Sequence, residues 1–297
     1  MKQRVMTGAV LTVVLVCAFA LSNTVVFPLL CAVLSAVGVY ELAGLFGIRK
    51  NYGILLPAFA FSFALPLLSH LLDLQAFLFL PDRAMIRPSV YLTVLIASVV
   101  VFAFICFTYS ILTGGRVRFS VVLSFLSMTV YVTLGFSSLA LLRRMGGLYL
   151  AIFAFIGSWI SDTFAYFTGR LLGRHKLCPA VSPKKTVEGS VGGILFSALV
   201  AALFGFILSH FDLIGEANIL WLAVAGAILS VASQIGDLTA SLLKREYDLK
   251  DYGALFPGHG GVLDRFDSVI AVAPLLLLFI TLLGGEVSLL GAKILWY

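Results

Sequence analysis

Nine apolar runs, each about as long as a bilayer is thick, leave this chain few ways to fold. A spanning helix needs about 20 mostly apolar residues. Such runs cover Val5–Leu21, Thr24–Phe46, Ile54–Leu72, Ser89–Leu112, Phe119–Leu142, Leu148–Phe167, Gly192–Ser209, Ile219–Leu243 and Ser268–Leu283. With the loops that join them they use nearly all of the 297 residues, so no separate soluble domain is expected. The chain is 61% hydrophobic, where a soluble domain is about 45–50% apolar. The expected fold is an all-α integral membrane protein, a polytopic helical bundle of about nine transmembrane helices forming one membrane domain over 1–297. No internal repeat is visible.

Only Ser22-Asn23 separates the first two runs, which predicts a tight hairpin. Lys2 and Arg4 precede the first run and Ala18-Phe19-Ala20 ends it, a pattern shared with cleaved signal peptides. A second run follows at once, so an uncleaved first helix is the expectation. A lipoprotein site at Cys17 is not expected, because Val16 is too bulky for the preceding position. The four cysteines, Cys17, Cys31, Cys106 and Cys178, lie far apart without a C-x-x-C pair and read as small buried hydrophobes. Cytoplasmic loops collect Lys and Arg. With nine spans, the N-terminus and the loops after the even-numbered runs share one side. That side holds Lys2, Arg4, Arg49, Lys50, Arg116, Arg118, Arg170, Arg174, Lys176, Lys184, Lys185, Lys244, Arg245, Lys250 and Arg265, 15 of the 20 basic residues. Arg83, Arg87, Arg143, Arg144 and Lys293 lie on the other. The N-terminus is therefore expected in the cytoplasm and the C-terminus outside. The net charge of +6 suits an anionic leaflet and anionic substrates. Nucleic acid is not expected, because the basic residues are scattered over short loops.

Charge is scarce, at 11% of residues, yet it concentrates in Ser241–Asp267. There Lys244, Arg245, Lys250 and Arg265 stand beside Glu246, Asp248, Asp251, Asp264 and Asp267. Pro257-Gly258 and Gly260-Gly261 flank His259 and allow a tight turn and a close backbone approach to a ligand. Asp264 and Asp267 would share one helical face. A solvated loop is one account of this stretch; a site for a metal-bound phosphate is the other.

Three further acids, Glu41, Asp162 and Asp237, fall inside apolar runs. Each costs about 2.5–3.5 kcal/mol at mid-membrane, so each should face a wet cavity or a partner. Glu41 fits a structural hydrogen bond as well as a functional role. Asp162 shares a helical face with Ser158 and Ser161. Asp237 sits on a stripe with Gln234, Ser241 and Lys244 that leads into the charged stretch. The loop Cys178–Ser190 carries Lys184, Lys185 and Thr186 just before a helix, where anions are favoured; a positive-inside anchor explains the lysines equally well. P-loop, G-x-S-x-G and H-E-x-x-H patterns are missing. His70 and His210 read as interfacial and His175 as part of a solvated basic cluster.

The order of residues in the charged stretch decides between a loop and a site. Ser241, Lys244-Arg245, Lys250-Asp251, Gly253, Pro257, His259-Gly260-Gly261 and Asp264-Arg265-Phe266-Asp267 together resemble the signature of the phosphatidate cytidylyltransferases, also called CDP-diglyceride synthases. No fixed position departs from it. Ser182-Pro183-Lys184-Lys185-Thr186 with Glu188-Gly189, and Ser161-Asp162-Thr163 with Ala165-Tyr166 and Gly169-Arg170, are also similar to segments of that family. The first five runs resemble it only in being hydrophobic.

The resemblance implies transfer of a cytidylyl group from CTP to phosphatidate, giving CDP-diacylglycerol and pyrophosphate. It places the active site in about 148–283, and the count of basic residues puts Ser241–Asp267 on the cytosolic face of the cell's inner membrane. It implies dependence on Mg²⁺, with Asp237 and Asp264 as ligands and a second cation left open. Lys244, Arg245, Lys250 and Arg265 would hold phosphates, with Asp251 and Asp267 orienting them or metal-bound waters. His259 would donate to a phosphate oxygen, and Gly260 and Gly261 would let the backbone approach. Asp162, Ser182, Lys184, Lys185, Thr186, Glu188 and Ser241 complete the expected substrate-binding set, without an assignment of the lysines to CTP or to lipid. The partners would be the two substrates and the bilayer, with a homodimer left open. The rivals are an ion-coupled transporter, since intramembrane acids serve transport too, and a CTP-dependent lipid kinase.

Overall fold

A computed structural model describes residues 13–22, 24–79, 88–214 and 217–283. The charges that precede the first run, and the end of the chain, lie outside them. Within them the chain is almost wholly helical. After α1 (residues 13–20) come α2 (Val26–Leu45), α3 (Tyr52–Phe79), α4 (Pro88–Leu112) and α5 (Phe119–Phe155). A π-turn (Ile156–Ile160) leads into α6 (Ser161–Leu172). Then follow β1 (Lys176–Cys178), β2 (Ser182–Thr186), α7 (Val187–His210), α8 (Ile219–Glu246) and α9 (Leu263–Leu283). Among the described residues, seven helical stretches are long and apolar enough to cross a membrane; the apolar part of α3, Tyr52–Leu68, is shorter. Phe104 and Ile111 on α4, Leu220 on α8 and Leu282 on α9 are each more than 60% exposed, as lipid-facing side chains should be.

Helix boundaries differ from the apolar runs where polar residues cap or extend a helix. The fifth and sixth runs are joined in α5, but Gly147 has φ +69°, a conformation only glycine adopts readily, and it separates two apolar stretches, Phe119–Met145 and Gly147–Leu172. α7 begins five residues before its apolar run, because Thr186 is its N-cap and accepts the Gly189 N–H at 3.1 Å. α8 runs on to Glu246, with Lys244 and Arg245 in its last turn where the helix dipole favours cations. Asp248, at φ +52°, ends it. α9 likewise starts early, at Leu263, so Asp264, Arg265 and Asp267 are helical. The loop expected before α7 is instead a short antiparallel hairpin, with Lys176 opposite Thr186 and Cys178 opposite Ser182.

The chain packs as two compact units. The first comprises residues up to Arg144 together with Asp251–Arg265. Its core holds Phe27, Leu42, Ile54, Phe102, Phe125 and Phe136, and Phe61 stacks on Phe102 with centroids 4.9 Å apart. The second comprises Met145–Lys250 and the chain from Phe266. Its helices approach closely through small residues: a Cβ on Gly226 of α8 would lie 2.5 Å from the Ala201 Cβ and 2.7 Å from the Ser197 carbonyl on α7. Without a hydrophobic force between helices in lipid, such contact supplies the association energy.

Candidate active site

In the second unit, three segments far apart in sequence line one cavity of about 290 Å³. α6 contributes Asp162, Tyr166 and Arg170; β2 and the start of α7 contribute Lys184, Lys185, Thr186 and Ser190; α8 contributes Gln234 and Asp237. α6 is placed by the π-turn, whose Ser158 is fully buried and bonded to the preceding turn. Such turns recur at functional sites. Ser161 and Asp162 then part company: the Ser161 hydroxyl meets that of Ser230 on α8 at 2.7 Å, and Asp162 accepts from Ser268 on α9 at 3.1 Å.

The polar stripe of α8 makes contacts along its length. Gln234 accepts from the Ser190 hydroxyl at 2.5 Å and donates to the Ser190 carbonyl at 3.2 Å. One turn on, Asp237 pairs with Lys185, both about one-quarter exposed, and Ser241 donates to Asp237 at 3.5 Å. An acid within an apolar helix has therefore found a cation from the hairpin, as its cost of burial requires. Asp162, Asp237 and Asp267 lie near enough for their charges to interact, with Lys185 beside the first two and Lys244 near the third. Lys184, Arg245 and Lys250 are exposed.

Glu188 and Ser182 do not line this cavity. Glu188 instead accepts the backbone N–H groups of Arg174 and His175 and pairs with His175 Nδ1 at 2.6 Å, which pins the hairpin to the end of α6. Tyr166, Arg170, Ser190 and Gln234 are lining residues absent from the expected set. Arg170 donates to the Tyr166 hydroxyl at 3.1 Å. Positions 162, 166 and 170 follow one another at the i, i+4 interval, a signal the sequence did contain.

In the first unit the signature folds into an elbow. Phe256 and Gly260 are bridged, the His259 N–H bonds to the Phe256 carbonyl at 2.8 Å, and Gly258 and Gly260 have φ of +77° and +83°. Asp264 is buried, and its Oδ2 accepts the N–H groups of Tyr252 at 2.8 Å and Gly261 at 2.9 Å. Glu41, from α2, accepts those of Val262 at 2.8 Å and Leu263 at 2.9 Å. A Cβ on Gly260 would lie 2.7 Å from Asp264 Oδ2, and one on Gly261 2.2 Å from Glu41 Oε1. Both glycines thus have a packing reason to be glycine. The Nδ1 of His259 is buried without a hydrogen-bond partner among the described residues. Asp251 and Arg265 are exposed.

Among the described residues, no group of three or more His, Cys, Asp or Glu side chains is placed to hold a metal ion. Asp162 and Asp237 do bring carboxylate oxygens to the same cavity. That donor set fits Mg²⁺, which takes one or two carboxylates and completes its shell with water and substrate phosphates.

The profile of the Cytidylyltransferase family matches residues 2–283. A phosphatidate cytidylyltransferase of Staphylococcus epidermidis is 37% identical over 237 residues, 75% of this chain and 89% of that protein. Those of Staphylococcus saprophyticus and Staphylococcus haemolyticus are 43% and 41% identical, over 60% of this chain and 66% of each relative.

Proposed function

Since this chain belongs to the cytidylyltransferase family, we propose that it transfers the cytidylyl group of CTP to phosphatidate, with CDP-diacylglycerol and pyrophosphate as products. The observation that carries this is the cavity where Arg170, Lys184 and Lys185 meet Asp162 and Asp237. Cations for phosphate and carboxylates for a hard metal ion, beside lipid-facing helices, suit two phosphate-bearing substrates of which one is a lipid.

The acceptor phosphate is its own nucleophile. A phosphate monoester loses its second proton near pH 6, so it is largely a dianion at neutral pH. One of its oxygens forms a bond to the α-phosphorus of CTP, and the bond from that phosphorus to the β-bridging oxygen breaks, releasing pyrophosphate. No protein nucleophile is needed. The barrier lies in bringing two polyanions together in line, so positioning and fixed positive charge supply the catalysis. Arg170, Lys184 and Lys185 would neutralise phosphate oxygens within the cavity, while Lys244, Arg245, Lys250 and Arg265 would draw in and steady the triphosphate. Thr186 and the N–H groups opening α7 offer donors to a phosphate. The His259 Nδ1 would find its partner in a phosphate oxygen. Asp162 and Asp237, which share the cavity, would hold Mg²⁺, which when bound supplies positive charge to the leaving pyrophosphate. Asp267 would steady Lys244 and nearby water, and Asp264 would hold the elbow in shape. The membrane orientation follows from the distribution of basic residues, with the site on the cytoplasmic face of the cell membrane. The test is product analysis: purified protein with CTP, phosphatidate and Mg²⁺ should release pyrophosphate and CDP-lipid in equal amounts, and neither when phosphatidate is omitted. Pyrophosphate release independent of phosphatidate would refute the assignment.

A further inference from the structure

We propose that Glu41, on α2, is a positioning residue for the signature elbow, some 220 residues away in sequence. The inference rests on the function proposed above but makes its own claim. Glu41 is 3% exposed, and its two oxygens take the N–H groups of Val262, the residue before α9, and Leu263, the first residue of α9. A helix leaves these N–H groups without intrahelical partners, and a carboxylate is their strongest acceptor. The next N–H upstream, that of Gly261, goes to Asp264 Oδ2, as does that of Tyr252. Three consecutive amides, 261 to 263, are therefore held by two buried carboxylates. The elbow also closes around Glu41: a Cβ on Gly253 would lie 2.6 Å from Glu41 Oε1, and one on Gly261 2.2 Å from it.

The division of work between the two acids follows from this geometry. Because Glu41 takes the amides of Val262 and Leu263, Asp264 is set by two different amides, one on each side of the elbow. The orientation of Asp264 and the path of the backbone that carries His259 thus depend on a residue that itself need never touch substrate. Glutamine at position 41 has the same size, but offers one acceptor oxygen and turns an NH₂ toward a backbone donor. The elbow would then lose one of its ties.

The test pairs steady-state kinetics with amide hydrogen exchange on the full-length protein in detergent, for wild type, Glu41→Gln, Glu41→Asp, Glu41→Ala, Gly261→Ala and Glu41→Ala/Gly261→Ala. In Glu41→Gln, kcat should fall at least ten-fold while KM for CTP and for phosphatidate stays within about two-fold. Exchange should quicken over residues 252–264 and not over α2 to α4. Glu41→Asp, which keeps the charge, should recover part of kcat. Gly261→Ala should reproduce the defect by crowding Glu41, and should add less than two-fold to Glu41→Ala. A Glu41→Gln enzyme within two-fold of wild type in kcat, or with unchanged exchange at the elbow, overturns the proposal. So does exchange that quickens throughout α2 to α4, since Glu41 would then serve the fold at large. So do fully additive losses in the double variant. If the wild type itself shows no turnover, the functional proposal fails, and exchange alone decides: quickening confined to the elbow upholds the role of Glu41, and its absence rejects it.

Discussion

Lys185 and Asp237 form an ion pair that a substrate with phosphates would compete for. Both are about three-quarters buried. Removing the lysine leaves a carboxylate without its cation but in partial contact with solvent, so the fold should tolerate Lys185→Ala. KM for CTP or for phosphatidate should rise five-fold or more, and kinetics with each substrate varied in turn would read it; two unchanged KM values would remove Lys185 from the binding site. Asp162→Asn and Asp237→Asn should each nearly abolish turnover in protein that extracts normally. The double variant should be little worse than either, because residues acting as one unit are not additive. Raising Mg²⁺ should restore part of the activity of each single variant. Single variants with wild-type turnover and Mg²⁺ curves would make both acids structural. Much at this scale was legible in advance. Gln234, Asp237, Ser241 and Lys244 declare a shared face through their spacing, and their contacts follow it. The partner of Asp237 was not legible, because ion pairing between segments some 50 residues apart leaves no local pattern.

At the scale of elements, polar residues extended helices beyond their apolar runs. α7 starts just after Thr186, as expected, although its apolar run opens only at Gly192: Thr186-Val187-Glu188 is weakly apolar but has the chemistry of a helix start, a hydroxyl cap followed by an acid in the first turn. Thr186→Ala should destabilise this start by about 1 kcal/mol, whereas Thr186→Ser should keep the cap. Thermal melts of the two variants would check this, and equal melting of Ala and Ser forms would deny the cap its role. The hairpin that precedes α7 escaped the sequence, since Ser-Pro-Lys-Lys-Thr has little strand character. Its shape comes from pairing with β1 and from Glu188, which gathers the N–H groups of Arg174 and His175. The elbow was visible as glycines around a histidine. What was not visible is that Glu41 fills the space those glycines leave.

For the whole molecule, composition and run length were enough to expect a helical membrane protein, because hydrocarbon tolerates few other folds. Sequence could not show that the chain packs as two units, or that the signature contributes Ser241–Lys250 to one and Asp251–Arg265 to the other. Its orientation is open to a direct check. On a cysteine-free background, a cysteine at position 248 should react with an impermeant reagent applied from the cytoplasmic side; reaction only from outside would reverse the topology. The activity itself is tested most directly by following two labels of CTP in parallel with purified protein, phosphatidate and Mg²⁺. Label on the α-phosphorus should appear in the lipid product, while label on the γ-phosphorus should appear only in pyrophosphate. Transfer of the γ label to lipid would make the protein a kinase, and no label in lipid from either position would contradict cytidylyl transfer altogether.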